Sequence, residues 1–348
     1  MTTRARVPEL AAYIAGLPKA ELHVHHVGSA SPRIVAELAA RHAGDTPVPA
    51  DAELLGDYFS FTDFAHFITV YLSIVDLIRD AEDVWTLTYE VARDLAAQHV
   101  RYAELTLTPY SSARRGIAAE AFCEAVEDAR RRAGTDFGLG LAWCFDIPGE
   151  AGLPAADATL DIATTLRPDG LVSFGLGGPE IGVPRAQFAP HFRAAIAEGL
   201  HSVPHAGEST GPDTIWDALE HLGAERIGHG ISAVADPRLM RYLADRGIPL
   251  EICPTSNVCT KSVPSLAEHP LPALVAAGVP VSINSDDPPM FATTLTHEYE
   301  VAAELLQLGP AGITDLARSA VRASFLDDAG TKLLLAEIDD YEAAAETF

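Results

Sequence analysis

Eight short apolar runs, each followed by a turn and a helix-period stretch, constrain this chain more than any other feature. The runs are Ala20–His25, Val100–Leu107, Gly140–Ile147, Leu171–Leu176, His201–His205, Arg226–His229, Pro249–Cys253 and Val279–Asn284. Between them lie stretches such as Ala121–Ala133, Arg185–Glu198, Thr214–Leu222 and Pro237–Asp245, whose apolar residues recur at helical spacing. Strands that alternate with helices pair in parallel, because each crossover returns the chain to the same end of the sheet. Eight such units close into an α/β fold, a (β/α)8 TIM barrel with its helices outside. The 348 residues fit one such barrel, so residues 1–348 read as a single domain.

One connection is too long for a simple crossover. Residues 26–99 separate the first two strands, and 43–98 read as a helical, lid-like insertion after strand 1. Within it, Pro47–Gly56 reads as a loop and Thr62–Ile78 as an amphipathic helix carrying Phe64, Phe67, Ile68, Tyr71, Leu72 and Val75. Leu87, Val91 and Leu95 mark another helix. A segment leaving the first strand lies over the barrel mouth, where a lid belongs, although the same aromatics would equally serve as core.

Composition narrows the partners. With 24 basic and 49 acidic residues the formal net charge is −25, which repels a phosphate backbone and argues against nucleic acid. No apolar run reaches membrane-spanning length, and the N-terminal residues lack the apolar segment of a signal peptide. No membrane partner and a cytoplasmic location are therefore expected. The four cysteines, Cys123, Cys144, Cys253 and Cys259, show no CxxC spacing and read as reduced thiols. A homo-oligomer is left open.

The chemistry is carried by position. His23 and His25 end the first strand, His205 and Glu208 belong to the fifth, His229 ends the sixth, and Asp286 and Asp287 follow the eighth. All lie at carboxyl ends of strands, where barrel enzymes place their active sites. Residues two apart on a strand share a face, so both imidazoles of His23-Val24-His25 enter the barrel mouth together. Alone, such a pair suits a buried core as readily as a metal. Joined by His205 and Asp286 it offers three nitrogens and a hard oxygen, a set suited to zinc with a position open for water. Many related barrels hold two metals bridged by a modified lysine after the fourth strand. Here the lysines are Lys19, Lys261 and Lys332, none of them near Gly175–Glu180, so one Zn2+ per chain is expected. The cytidine-deaminase pattern H-x-E with P-C-x-x-C is absent.

Four motifs then combine: Pro18-Lys19-Ala20-Glu21-Leu22-His23-Val24-His25, His205-Ala206-Gly207-Glu208, Arg226-Ile227-Gly228-His229-Gly230 and Ser285-Asp286-Asp287-Pro288. In this order, from Pro18 to about Phe291, the chain resembles the adenosine deaminase family of the amidohydrolases. The resemblance implies an aminohydrolase that replaces the 6-amino group of a purine nucleoside with oxygen and releases ammonia. His23, His25, His205 and Asp286 would hold the zinc, which acidifies the attacking water. Glu208 would protonate ring nitrogen 1, and His229 would orient or deprotonate the water. Asp287 would hydrogen-bond ring nitrogen 7, and Gly178 would offer a backbone N–H to the purine.

Two departures from the family pattern bear on the substrate. Adenosine-specific members place an acid two residues after the second histidine, whereas this chain reads His25-His26-Val27-Gly28. A valine there forgoes a charge-assisted hydrogen bond worth about 1.5–3 kcal/mol and suits a bulkier 5′ group. In Phe174-Gly175-Leu176-Gly177-Gly178-Pro179-Glu180, Gly175 stands where many members have aspartate, which would leave more room. With Ser29-Ala30-Ser31-Pro32 and Ser285 to Phe291, these features resemble aminodeoxyfutalosine deaminases of the futalosine route to menaquinone. That implies conversion of 6-amino-6-deoxyfutalosine to futalosine and ammonia. Adenosine is the alternative substrate, and free adenine the next. A cation for the carboxylate of such a substrate is expected at Arg185, with Arg114 and Arg115 as further candidates, and His26 as a further substrate contact or a residue facing away. An amidohydrolase acting on a cyclic amide would share the metal ligands but have less need of Glu208 and Asp287.

Overall fold

The computed structural model describes residues 6–59 and 64–345. Its strands are β1 (Lys19–His25), β2 (Val100–Leu107), β3 (Gly140–Pro148), β4 (Leu171–Gly177), β5 (His201–Ala206), β6 (Ile227–His229), β7 (Leu250–Ile252) and β8 (Val281–Ile283). All seven neighbouring pairs are parallel and follow chain order. Past β8 the chain returns to β1: His25 N–H donates to the Asp286 carbonyl at 2.9 Å, and Asp286 N–H donates to the His23 carbonyl at 3.1 Å. The expected (β/α)8 barrel is present. Its strands are buried on both faces and accordingly read as almost unbroken apolar runs.

The last three strands are shorter than their apolar runs, and side chains explain part of the difference. The Asn284 Oδ1 accepts the N–H groups of Leu22 and His23 at 2.9 and 3.2 Å, so a side chain takes the place of a ladder carbonyl. The Arg185–Glu198 stretch divides into a 3₁₀ turn, Arg185–Phe188, and a helix, Ala189–Ala197. Pro190 opens that helix, where its missing N–H costs nothing.

Between β1 and β2 lie helices Pro32–Arg41, Ala52–Tyr58, Phe64–Val75 and Ala81–Ala96. The last begins with a reciprocal capping box between Asp80 and Asp83. It packs outside the barrel against helix Ala119–Phe137, with Trp85 Nε1 donating to Asp128 and the Tyr89 hydroxyl to Asp136. Of the Thr62–Ile78 expectation, Thr62 and Asp63 lie outside the described residues, as do the side chains of Phe64, Phe67 and Ile68. Tyr71 is half-buried and Val75 buried, while Leu72 is exposed. All four cysteines are free thiols. Among the described residues no helix is long and apolar enough to cross a membrane.

Candidate active site

The alternation of β1 turns Val24 into the surrounding apolar shell and both histidines into the mouth. His25 Nε2 lies 3.2 Å from Asp286 Oδ1 and 3.3 Å from His205 Nε2, and His23 Nε2 lies 3.6 Å from Asp286 Oδ1. Bonds of about 2.1 Å in a tetrahedral shell would put donor atoms about 3.4 Å apart. His23 Nε2 is buried and has no hydrogen-bond partner. The donor set therefore fits a metal ion. His229 and Cys253 also bring donor atoms within 4.8 Å of members of this cluster. Burial raises the Cys253 thiol well above its usual range, and Asn257 takes His229 Nδ1.

Several groups hold these ligands in place. Glu251 on β7 takes His23 Nδ1 at 2.8 Å, which leaves Nε2 facing the cluster. Its other oxygen accepts from Arg226 Nε at 2.6 Å, and Arg226 reaches across the interior to Glu104 on β2. Burial opposes ionisation of Glu251, but Arg226 and His23 hold its carboxyl below the usual range. Ser256 donates to Asp286 Oδ2 at 2.6 Å. Two site residues adopt left-handed backbone, His229 at φ 59° and Asp286 at φ 64°. Such strain costs about 1–3 kcal/mol per residue and persists where the surroundings enforce it.

Glu208 leaves β5 half-buried. Its Oε1 accepts from the hydroxyls of Thr260 at 3.1 Å and Ser262 at 3.4 Å, while Oε2 faces His229 Nε2 at 3.7 Å. The turn carrying it is clamped by Glu180, which follows β4 and is buried. Glu180 accepts the N–H groups of Gly207 at 3.0 Å and Glu208 at 2.9 Å, together with the Thr210 hydroxyl. Glu180→Ala is expected to lower kcat roughly tenfold to a hundredfold by releasing Glu208 from its position, with metal content unchanged. Full activity of the variant in steady-state assays would contradict this.

The protonation of His229 is set by a chain that starts at a backbone donor. Leu271 N–H donates to His269 Nδ1 at 3.1 Å, so the neutral His269 ring carries its proton on Nε2. Burial holds His269 down at about 4, which keeps it neutral. That Nε2–H donates to Asn257 Oδ1 at 3.2 Å, and Asn257 Nδ2 then donates to His229 Nδ1 at 3.1 Å. His229 Nε2 thus bears the proton and points between Glu208 and Asp286. Beside it, burial and the adjacent Asp286 push the Asp287 carboxyl up to about 7. The Asp287 Oδ1 is buried without a partner, and it packs so closely on Gly28 that a Cβ there would lie 1.5 Å away.

The remaining sequence candidates are more dispersed. Gly178 is exposed at the exit of β4 with φ 76°, and Val27 is half-buried at the exit of β1. Arg185, expected at the substrate, is instead fully buried, with Nη1 on the Val183 carbonyl at 3.3 Å. Its Nε and Nη2 are buried without a hydrogen-bond partner, and Glu180 is its foremost charged neighbour. Arg115 pairs with Asp76 at 2.9 Å, and Arg114 is exposed over the Tyr110 ring. His26 faces away from the mouth, bonding the Thr88 hydroxyl at 2.8 Å, and burial lowers it to about 3. Gly175 leaves no extra room either, because a Cβ there would lie 2.8 Å from Cys144 Sγ and 3.2 Å from the Asp146 Cβ. Sequence reasoning gave no role to Glu180, Asn257, His269, Glu251 or Asp146.

Comparison with known proteins places this geometry. The family model described as adenosine deaminase matches residues 18–341. The chain is 67% identical to aminodeoxyfutalosine deaminase of Streptomyces coelicolor, over 97% of this chain and 87% of that protein. It is 66% identical to the aminodeoxyfutalosine deaminase of Streptomyces avermitilis, over 97% of this chain and 94% of that one. Among solved structures, adenine deaminase from Arthrobacter aurescens superposes with a TM-score of 0.87 at 31% identity, covering 93% of this chain and 99% of that one. With its barrel, its His/Asp cluster and this similarity along nearly the whole sequence, the chain belongs to the adenosine deaminase family.

Proposed function

We infer that the chain hydrolyses aminodeoxyfutalosine, taking up one water and releasing ammonia to leave the 6-oxo purine of futalosine. The similarity to the two Streptomyces proteins over 97% of the chain carries this reading. His23, His25, His205 and Asp286 would hold one zinc ion per chain. Zinc in such a site supplies Lewis acidity that makes a water reactive near neutral pH.

The other roles belong to the protein's own groups. Glu208 delivers a proton to ring nitrogen 1 through Oε2, since the Thr260 and Ser262 hydroxyls already occupy Oε1. His229 acts as a donor through Nε2–H and orients the attacking water; its Nδ1 is taken by Asn257. Asp287, raised to about 7 by burial and the adjacent Asp286, hydrogen-bonds ring nitrogen 7 in its protonated form. Gly178 offers its backbone N–H from the β4 exit.

Val27 marks the 5′ side of the substrate. Val27→Asp is expected to shift the ratio of kcat/KM for adenosine over aminodeoxyfutalosine by about tenfold toward adenosine, the size of one charge-assisted hydrogen bond. An unchanged ratio would sink that assignment. The hydrolytic step itself is tested in ¹⁸O-labelled water. One labelled oxygen at carbon 6 and one ammonia per product support it, and product without label overturns it.

A further inference from the structure

The metal donors come from β1, β5 and the exit of β8, so carbon 6 of a bound purine faces that side of the mouth. Glu208 on the β5 side and Asp287 on the β8 side then fix the two edges of the ring that flank carbon 6. The opposite edge, which bears the sugar on nitrogen 9, is left facing the exits of β2, β3 and β4. Asp146 stands at the end of β3 on that side. Its neighbour Phe145 packs outward on Phe122, so strand alternation turns Asp146 into the barrel mouth. Asp146 is 4% exposed, and its Oδ1 accepts the Thr108 hydroxyl at 2.6 Å. Its Oδ2 lies over Gly177, where a Cβ would come within 2.5 Å of that oxygen and 3.9 Å of His205 Cε1. Gly177 therefore leaves room for that carboxylate oxygen. Burial raises the Asp146 carboxyl while His25 and the Thr108 hydroxyl oppose that, and among the described residues no arginine or lysine pairs with it.

We propose that Asp146, braced by Thr108, accepts hydrogen bonds from the 2′ and 3′ hydroxyls of the substrate's ribose. A carboxylate takes hydroxyl donors in short, charge-assisted bonds, and a cis-diol presents two of them. The acid missing at Val27 is in this way supplied from β3, aimed at the sugar ring rather than its 5′ end. The site then distinguishes a nucleoside from a free base. This assignment rests on the purine orientation inferred above.

The test compares Asp146→Ala and the native enzyme on aminodeoxyfutalosine and on its 2′,3′-dideoxy analogue, with zinc content and melting temperature as controls. On the ribosyl substrate the variant is expected to lose about 10–100-fold in kcat/KM, mainly through KM. The native enzyme is expected to lose a similar factor on the dideoxy analogue, to which the variant adds little further loss. Equal losses on both substrates, or none on the ribosyl one, would overturn the assignment. Thr108→Val keeps the carboxylate and provides a milder variant. It is expected to lose about 3–10-fold on the ribosyl substrate only, and an equal loss on both again overturns the proposal. If Glu208→Gln is inactive while Asp146→Ala is indifferent to the hydroxyls, the sugar contact fails and the deaminase reading stands. If native protein leaves aminodeoxyfutalosine unchanged, both fall.

Discussion

Glu208→Gln is expected to lower kcat by roughly 10²–10⁴-fold while metal content and fold remain native. Glutamine preserves the length of the side chain and an oxygen for the Thr260 and Ser262 hydroxyls. It can still donate a hydrogen bond to ring nitrogen 1 but cannot transfer a proton to it. The loss should therefore fall on kcat, with KM changed far less, since the missing interaction is made in the transition state. Zinc analysis and a melting curve separate this from a structural defect. Turnover surviving the substitution would instead favour an amidohydrolase of a cyclic amide, in which nitrogen 1 needs no acid.

The second large effect concerns the metal. Chelation is expected to reduce activity below about 1%, and added zinc to restore it, because the three imidazoles and Asp286 converge on one point. His23→Ala should be inactive and not be rescued at moderate zinc concentrations. It removes a ligand whose other nitrogen is fixed by Glu251 and, through it, Arg226. Metal loss should also lower the melting temperature, since any ligand of the folded state alone stabilises that state. Elemental analysis is expected to return about one zinc per chain. Two metals per chain, or full activity in a metal-free preparation, would contradict the assignment.

Much of this was legible in the residues because local rules reach it. His23 and His25 are two apart on a strand, and strand alternation alone puts them on one face. His205, His229 and Asp286 each follow an apolar run, so the barrel topology gathers them without knowledge of side-chain packing. The supporting groups were not legible, because their roles arise only where distant segments meet. Glu180 acts on Gly207 and Glu208 across the β4 and β5 exits. The chain from Leu271 to His229 runs through His269 and Asn257 and joins three separate segments, which no spacing encodes. Gly175 misled for the same reason: a missing side chain was read as space, whereas Cys144 and Asp146 from β3 fill it. Arg185 was placed by its loop, but how deeply a long side chain is buried is decided by packing.

The most direct test of the account is the kcat/KM of the purified, zinc-loaded protein on aminodeoxyfutalosine, adenosine and adenine, followed by the amino-to-oxo change in purine absorbance. The account predicts that aminodeoxyfutalosine is preferred over both others by about tenfold or more, the gain from burying a bulky 5′ group against the apolar Val27. Equal or faster turnover of adenosine or adenine would contradict it.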